Sequence, residues 1–400
     1  MEKESQYLFH LLGAYVRRET PRRAEGLELE KLRHLAYIHS VTGVFGYMVM
    51  KYRLFPEQAA VFRRECMATI SQFGQRIGRA EMFLQELEQR GIDHALMKGY
   101  VLKDYYPVPE LRTFGDIDMV IRPQDREKCH RLMLELGYQV KTDWEPVYSY
   151  VKPMEHYELH TELLETDISD SVDCRAYFRD LWRHTVCKNG HRCEFTPEFH
   201  FIYLLVHLAK HVMASGAGAR MYLDLAAFIC HHGDGADWQR VCGELRKLGL
   251  EDFANTALTF VEQYLGVASP IALRPVDEGV LEALASMTAD GGIFGRMGLD
   301  SGVNTMKEQG EEVSRLRSVL RRLFPAAETI QSRYTYLQNR PWLLPAAWVH
   351  RLFRTKGSWS DHAREARGIL HADLEEVRAA RQLQENIGLG RKRKSKENVD

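Results

Sequence analysis

Residues 95–123 read ALMKGYVLKDYYPVPELRTFGDIDMVIRP. An apolar run enters Lys98-Gly99, and Asp116 and Asp118 interrupt the apolar pattern that leaves it. Side chains alternate along a strand, so two carboxylates two residues apart share one face. Burying them unpaired is costly. The pair therefore demands either positive charge between its members or a wet sheet edge. A hard divalent cation meets that demand, because Mg2+ prefers oxygen ligands and commonly shares them with substrate phosphates. Mn2+ is the alternative ion. The turn at Gly99 would let a triphosphate approach the backbone. A helix from about Tyr100 would direct its N-terminus at that anion, and Lys98 would add a positive charge beside it.

Upstream, residues 5–90 read as helices, because SQYLFHLLGAYV and LELEKLRHLAYIHSVTGVFGYMVM carry apolar residues at helical spacing. From Pro56 to Arg90 that spacing continues as one long helix, ended by Gly91. IDHALMK reads as a short strand and DIDMVI as the next. RPQD gives a turn, with Asp125 as the helix cap before REKCHRLMLELG. YQVKT, YSYVKP and EHYELHTEL complete the strand candidates, all within residues 91–165. Helical spacing returns after Thr196 in PEFHFIYLLVHLAKHVMA, MYLDLAAFICHH, WQRVCGELRKLG and EDFANTALTFVEQYLG. Glycines around 216–218 and 291–292 mark loops. The pattern predicts an α+β protein with a small mixed-sheet core inside a mostly α-helical chain. The expected regions are helical over 1–90, the α/β core over 91–195, helical again over 196–390, and a charged, disordered tail over 391–400.

A net charge of −1 gives no global case for binding nucleic acid or a membrane surface. The longest apolar stretch near the end, WLLPAAWV from Trp342 to Val349, is too short to span a bilayer. The opening MEKESQYLFHLLGAYVRRE is amphipathic and carries acids, unlike a secretory signal. The seven cysteines form no CxxC pair, and Cys187 with Cys193 has no matching second pair, which argues against zinc. Scattered cysteines suit a reducing cytoplasm.

The order strand, glycine turn, helix and Asp-x-Asp strand resembles the DNA polymerase β-like nucleotidyltransferase superfamily. The fuller string LMKGYVLKDYYPVPELRTFGDIDMVI, followed by YELHTEL, is similar to a bacterial nucleotidyltransferase family with a Lys-Gly turn, an Arg-x-x-Gly-Asp-Ile-Asp core and a later acidic-Leu-His strand. LLVHLAKH, RMYLDLA and RLFPAAETIQSRYTYLQNRPWLLPAAWVHRLF extend the likeness more loosely over residues 90–355. The resemblance implies transfer of a nucleoside monophosphate from an NTP to a hydroxyl acceptor, with release of pyrophosphate. It implies that Asp116, Asp118 and Glu158 hold Mg2+ and act in catalysis, and that Lys98, Gly99 and Arg112 receive the triphosphate. On EHYELHTEL, His156, Glu158, His160 and Glu162 share one face. Glu158 matches the family's acidic position and Glu162 is the fallback. Two departures stand out. Tyr100 occupies the place where the superfamily has Ser or Gly, so the hydroxyl for the β- and γ-phosphates is missing and Lys98 or Arg112 must compensate. The gap from Gly99 to Asp116 is also longer than the superfamily norm.

Each of these residues has a plainer role beside it. Asp-x-Asp on a strand edge is usually a solvated face, and Lys98 alone reads as a surface lysine. Arg112 can pair with Glu110 or Asp116. His207 and His211 have the i, i+4 spacing of a metal pair, yet two ordinary helix-face histidines look the same. Between these lies a helix whose His207, Lys210 and His211 line the cleft, together with His160. Asp224 can pair with Arg220, and RYTYLQNRPWLL reads as packing. A non-catalytic nucleotide-binding or regulatory protein on the same scaffold is the rival function. The missing hydroxyl favours it, and the clustering of three costly carboxylates opposes it. A member acting on RNA ends is opposed by the neutral net charge.

Overall fold

Chain contacts divide the protein into two units, residues 1–295 with 387–400, and residues 296–386. The computed structural model describes residues 1–144, 146–164, 174–214, 216–292, 315–331, 334–337, 340–353, 367, 369–370 and 374–390. The charged 391–400 tail therefore lies outside the described residues. The smaller unit carries helices over Arg315–Leu323, Ala327–Ile330, Leu344–Phe353 and Leu374–Asn386. In its aromatic stretch Tyr334 and Leu337 are buried with Ile330 and Ala347, which is the packing role expected of them. Among the described residues, no helix is long and apolar enough to cross a membrane.

The larger unit opens with α1 (Lys3–Val16), α2 (Leu29–Ile38), α3 (Thr42–Tyr52) and α4 (Ala59–Gln89). The continuous helical spacing through residues 27–50 is in fact two helices. The break comes at Ser40, with φ +54. Next to it the buried His39 ring contacts the Ala289 carbonyl at 3.1 Å and accepts from the Ala219 amide at 3.3 Å. Both contacts lie far away in sequence. The long α4 forms as its spacing predicts, and Gly91 ends it at φ +66.

The α/β core follows as β1 (His94–Leu96), α5 (Gly99–Leu102), β2 (Ile117–Ile121), α6 (Arg126–Glu135), β3 (Gln139–Trp144), β4 (Val147–Lys152), β5 (Glu155–His160), α7 (Cys174–Arg179), β6 (Thr185–Asn189) and β7 (Arg192–Phe195). The seven strands form one sheet in the order β3-β4-β5-β2-β1-β7-β6. β2 runs parallel to β5 and β1 parallel to β7, and the other pairs are antiparallel. The fold is α+β with a mixed sheet. The sheet is wider than the strand candidates of 91–165, because the β6–β7 hairpin adds to its β1 edge. Cys187 and Cys193 face each other across that hairpin and are joined as a disulfide, so these two thiols are not scattered and free. Asp125 precedes α6 but makes no capping bond. It sits in a 3-10 turn with helical backbone angles, and its carboxylate faces Lys128 at 3.2 Å. The helix after Gly99 is a single turn that passes into another 3-10 turn at Lys103–Tyr105.

Behind the core come α8 (Pro197–Ala214), α9 (Ala219–His232), α10 (Trp238–Lys247), α11 (Glu251–Phe260) and α12 (Glu278–Gly291). One face of the sheet packs on α4 and α6 through Phe83, Leu87, Ile117, Met119, Tyr157 and Leu159. The segment leading into β2 is tied to α9 by a buried ion pair. Arg112 Nε and Nη2 donate to Asp224 Oδ1 and Oδ2 at 3.1 and 2.6 Å, and Tyr106 donates its hydroxyl to the same carboxylate at 2.7 Å. Arg112 thus pairs with neither Glu110 nor Asp116, and Asp224 takes Arg112 rather than Arg220. Sequence spacing favoured near neighbours, whereas the fold brings residues 112 apart into bidentate geometry. Asp224→Ala strands the Arg112 guanidinium in the interior, and such losses cost about 3–5 kcal/mol. Urea denaturation should show a loss of that size. Arg112→Met combined with Asp224→Leu should recover most of it, because no unpaired charge is then left behind.

Candidate active site

The parallel register sets Asp118 beside Glu158 and Val120 beside His160. Because Ile117, Met119, Tyr157 and Leu159 belong to the core, alternation turns Asp118, His156, Glu158 and His160 to the opposite face. Two sets of three side chains there have ligand-capable atoms within 4.8 Å of one another: Asp116, His156 and Glu158, and Asp118, Glu158 and His160. Glu158 belongs to both sets. Glu162 does not join them; it lies past the end of β5 and pairs with Arg175 at 2.8 Å. Each aspartate thus has the Glu158 carboxylate and one imidazole beside it, and carboxylate oxygens of this kind fit Mg2+ or Mn2+.

The charge demanded by the sequence comes from Lys98. Its ammonium lies 2.7 Å from Asp118 Oδ1, and His160 Nε2 lies 3.2 Å from the same oxygen. Burial alone would raise the Asp118 carboxyl, but Lys98 and His160 outweigh it and hold the group far below the ordinary carboxylate range. Burial likewise opposes the Lys98 charge, and Asp118 overrides it and keeps the lysine protonated. Lys98 and Lys141 also favour the Glu158 charge, but too weakly to offset what opposes it. Burial first, then repulsion from Asp118 and Asp116, pushes it up to about 7. Neighbouring carboxylates with split affinities are a common mark of acid–base sites.

Lys98 reaches Asp118 from a backbone at φ +50, ψ −127, which favours glycine and costs a lysine about 1–3 kcal/mol. Its carbonyl accepts the amides of Val101 and Leu102 at 3.1 and 2.8 Å, which fixes the turn. The reason for Gly99 is local packing. A Cβ there would stand 2.6 Å from Arg112 Nη1 and 2.8 Å from Phe114 Cβ. Tyr100 is buried and donates its hydroxyl to Glu81, away from the turn.

Helix α8 forms the facing wall. Tyr203, pushed up to about 12 by burial, lies against Lys98. His207 and His211 are both driven towards the neutral form, first by burial and then by the Lys98 charge; His211 falls to about 4. Their Nε2 atoms lie 3.3 Å apart, so one ring donates to the other. Among the described residues, no third ligand-type side chain completes a metal set with them. Lys210, next to them, is exposed. Two further cations meet the site that sequence spacing had not nominated, Arg76 from α4 and Arg220 from α9. Both interact electrostatically with Asp116. Lys141 from β3 similarly faces Glu158 and His156. No sequence signal separates these basic residues from others on their elements.

A family model described as an uncharacterised nucleotidyltransferase matches residues 25–266, which include all seven strands and α2 to α11. No curated protein matches the chain. The raised Glu158 group carries a stability signature. The folded protein binds that proton more tightly than the unfolded chain, where the ordinary value is 4.5. The resulting stabilisation is full below pH 4.5 and is lost as pH rises through about 7. Denaturation of chelator-treated protein across this window should show that decline, and Glu158→Gln should remove the Glu158 share. A Glu158 carboxyl resonance titrating near 4.5 would contradict the arrangement.

Proposed function

We propose that this chain, which belongs to the uncharacterised nucleotidyltransferase family matched above, moves a nucleoside monophosphate from an NTP to a hydroxyl acceptor and releases pyrophosphate. The observation that carries the reading is that Glu158 has ligand atoms within 4.8 Å of both Asp116 and Asp118, in two overlapping clusters completed by His156 and His160. These three carboxylates would hold Mg2+, with Mn2+ as a substitute. When bound, the ion supplies charge neutralisation for the phosphates and for the departing pyrophosphate. Asp118, kept ionised by Lys98 and His160, offers a ligand at every working pH. Glu158, titrating near 7 before any ligand binds, is matched to accept the proton of the acceptor hydroxyl. Lys98 balances the carboxylates and adds positive charge where phosphate enters. Arg112, held by Asp224 and by the Thr113 carbonyl at 2.8 Å, positions the segment that carries Asp116. The DNA polymerase β-like superfamily is part of the same proposal, whereas the Cys187–Cys193 disulfide removes the cysteine argument for a reducing compartment.

One observation favours a non-catalytic nucleotide-binding or regulatory module. The Lys98 ammonium already compensates Asp118 at 2.7 Å, so the carboxylate has a partner without any metal. Titration of the protein with each NTP, with Mg2+ or with chelator, separates the two. The catalytic reading expects tighter binding with Mg2+ and appearance of pyrophosphate rather than orthophosphate. Asp118→Asn should lose the Mg2+-dependent part of binding and all turnover. Glu158→Gln should keep nucleotide binding while kcat falls by roughly 10²–10⁴, the usual contribution of a positioned base. Binding that is indifferent to Mg2+, with no pyrophosphate from any NTP, supports the regulatory module instead.

A further inference from the structure

Three carboxylates do not by themselves hold a polyphosphate, and the groups nearest the turn are already committed. Tyr100 is buried and bonded to Glu81. Arg112 is closed off by Asp224 and Thr113. Lys98 is paired with Asp118. Two guanidinium groups at the site remain. Among the described residues, neither Arg76 nor Arg220 makes an ion pair, although both are half-buried.

Both are anchored on the same short segment, the one that runs into Asp116. Arg220 Nη1 donates to the Thr113 carbonyl at 3.0 Å, while its enclosed Nε has no hydrogen-bond partner. The Arg76 guanidinium lies 5.4 Å from the centre of the Phe114 ring. Arg76 and Arg220 thus reach residues 113 and 114 from two different helices. Burial opposes the charge of each, and for Arg220 the neighbouring Arg112 does so as well, pushing it down to about 10. Such an arrangement is costly in the ligand-free protein and is relieved by an anion. Planar guanidinium forks suit phosphate oxygens.

We infer that Arg76 and Arg220 form a two-helix clamp for the polyphosphate chain of the nucleotide, replacing the hydroxyl that Tyr100 does not provide. The inference rests on the nucleotidyl-transfer reading and deepens it by assigning the phosphate-binding groups. The clamp recognises the β- and γ-phosphates rather than the nucleoside, so inorganic tripolyphosphate is a direct probe.

Calorimetric titration of the full chain with tripolyphosphate, ATP and AMP, in the presence of Mg2+, tests it. Arg76→Gln and Arg220→Gln should each weaken tripolyphosphate and ATP by at least roughly tenfold, about 1.4 kcal/mol, and leave AMP nearly unchanged. Melting curves identify a variant that fails to fold. Arg76→Gln, on α4, is independent of the Thr113 contact and carries the test alone if Arg220→Gln is unstable. If both folded variants bind tripolyphosphate as tightly as wild type, while wild type still releases pyrophosphate from an NTP, the clamp is wrong and nucleotidyl transfer stands. If wild type binds neither tripolyphosphate nor any NTP, both readings fall.

Discussion

The parallel pairing of β2 with β5 is the constraint from which the site follows. It opposes Asp118 to Glu158 and, with the core holding Ile117, Met119, Tyr157 and Leu159, leaves no freedom over which face the acids take. A one-residue slip in either strand would send the carboxylates into the hydrophobic layer beneath α4. Burial of the alternate residues therefore enforces the geometry of the acidic ones. The hydrophobic effect supplies the energy for that enforcement, since the core residues are large and almost wholly enclosed.

Clustering three acids creates a repulsive problem, and the protein answers it unevenly. Asp118 receives Lys98 and His160 at hydrogen-bond distance, while the imidazoles nearest Glu158 stand 3.8 Å away and Glu158 holds its proton more tightly. The uneven answer is what gives the cluster chemical polarity, with one fixed anion and one group poised near neutrality. It requires Lys98 to arrive from one direction, which explains a lysine in a backbone conformation that suits glycine. Strain of this kind persists only where surrounding bonds over-determine it. Here the Asp118 ion pair and the two amides on the Lys98 carbonyl do so.

The helices behind the sheet are part of the site's electrostatics as well as its support. Tyr203, His207 and His211 on α8 face the Lys98 charge, and α9 supplies both the Asp224 anchor and Arg220. Arg112 shows how one residue type can serve structure where sequence suggested ligand binding. Its bidentate bond to Asp224 and its bond to Thr113 fix the approach to Asp116, and its Nη1 also occupies the space over Gly99.

The sequence by itself determined the elements and the acidic strand pattern. Period-two spacing in DIDMVI and EHYELH, helical spacing from Pro56 to Arg90 and the glycine at 91 are local properties, and each produced its element. The same alternation put His156, Glu158 and His160 on one face. The motif match already preferred Glu158 to Glu162, whereas tertiary structure alone decided that Ser40 interrupts a helical run, that Cys187 and Cys193 join, and that residues 185–195 extend the sheet. It also decided the partners of the charged side chains. Arg76, Arg112 and the α9 residues Arg220 and Asp224 come from three distant parts of the chain, and long flexible cations pair with whatever carboxylate or carbonyl the packing brings near. Backbone periodicity is written in neighbouring residues; the pairing of distant charges is set by which surfaces the apolar core presses together.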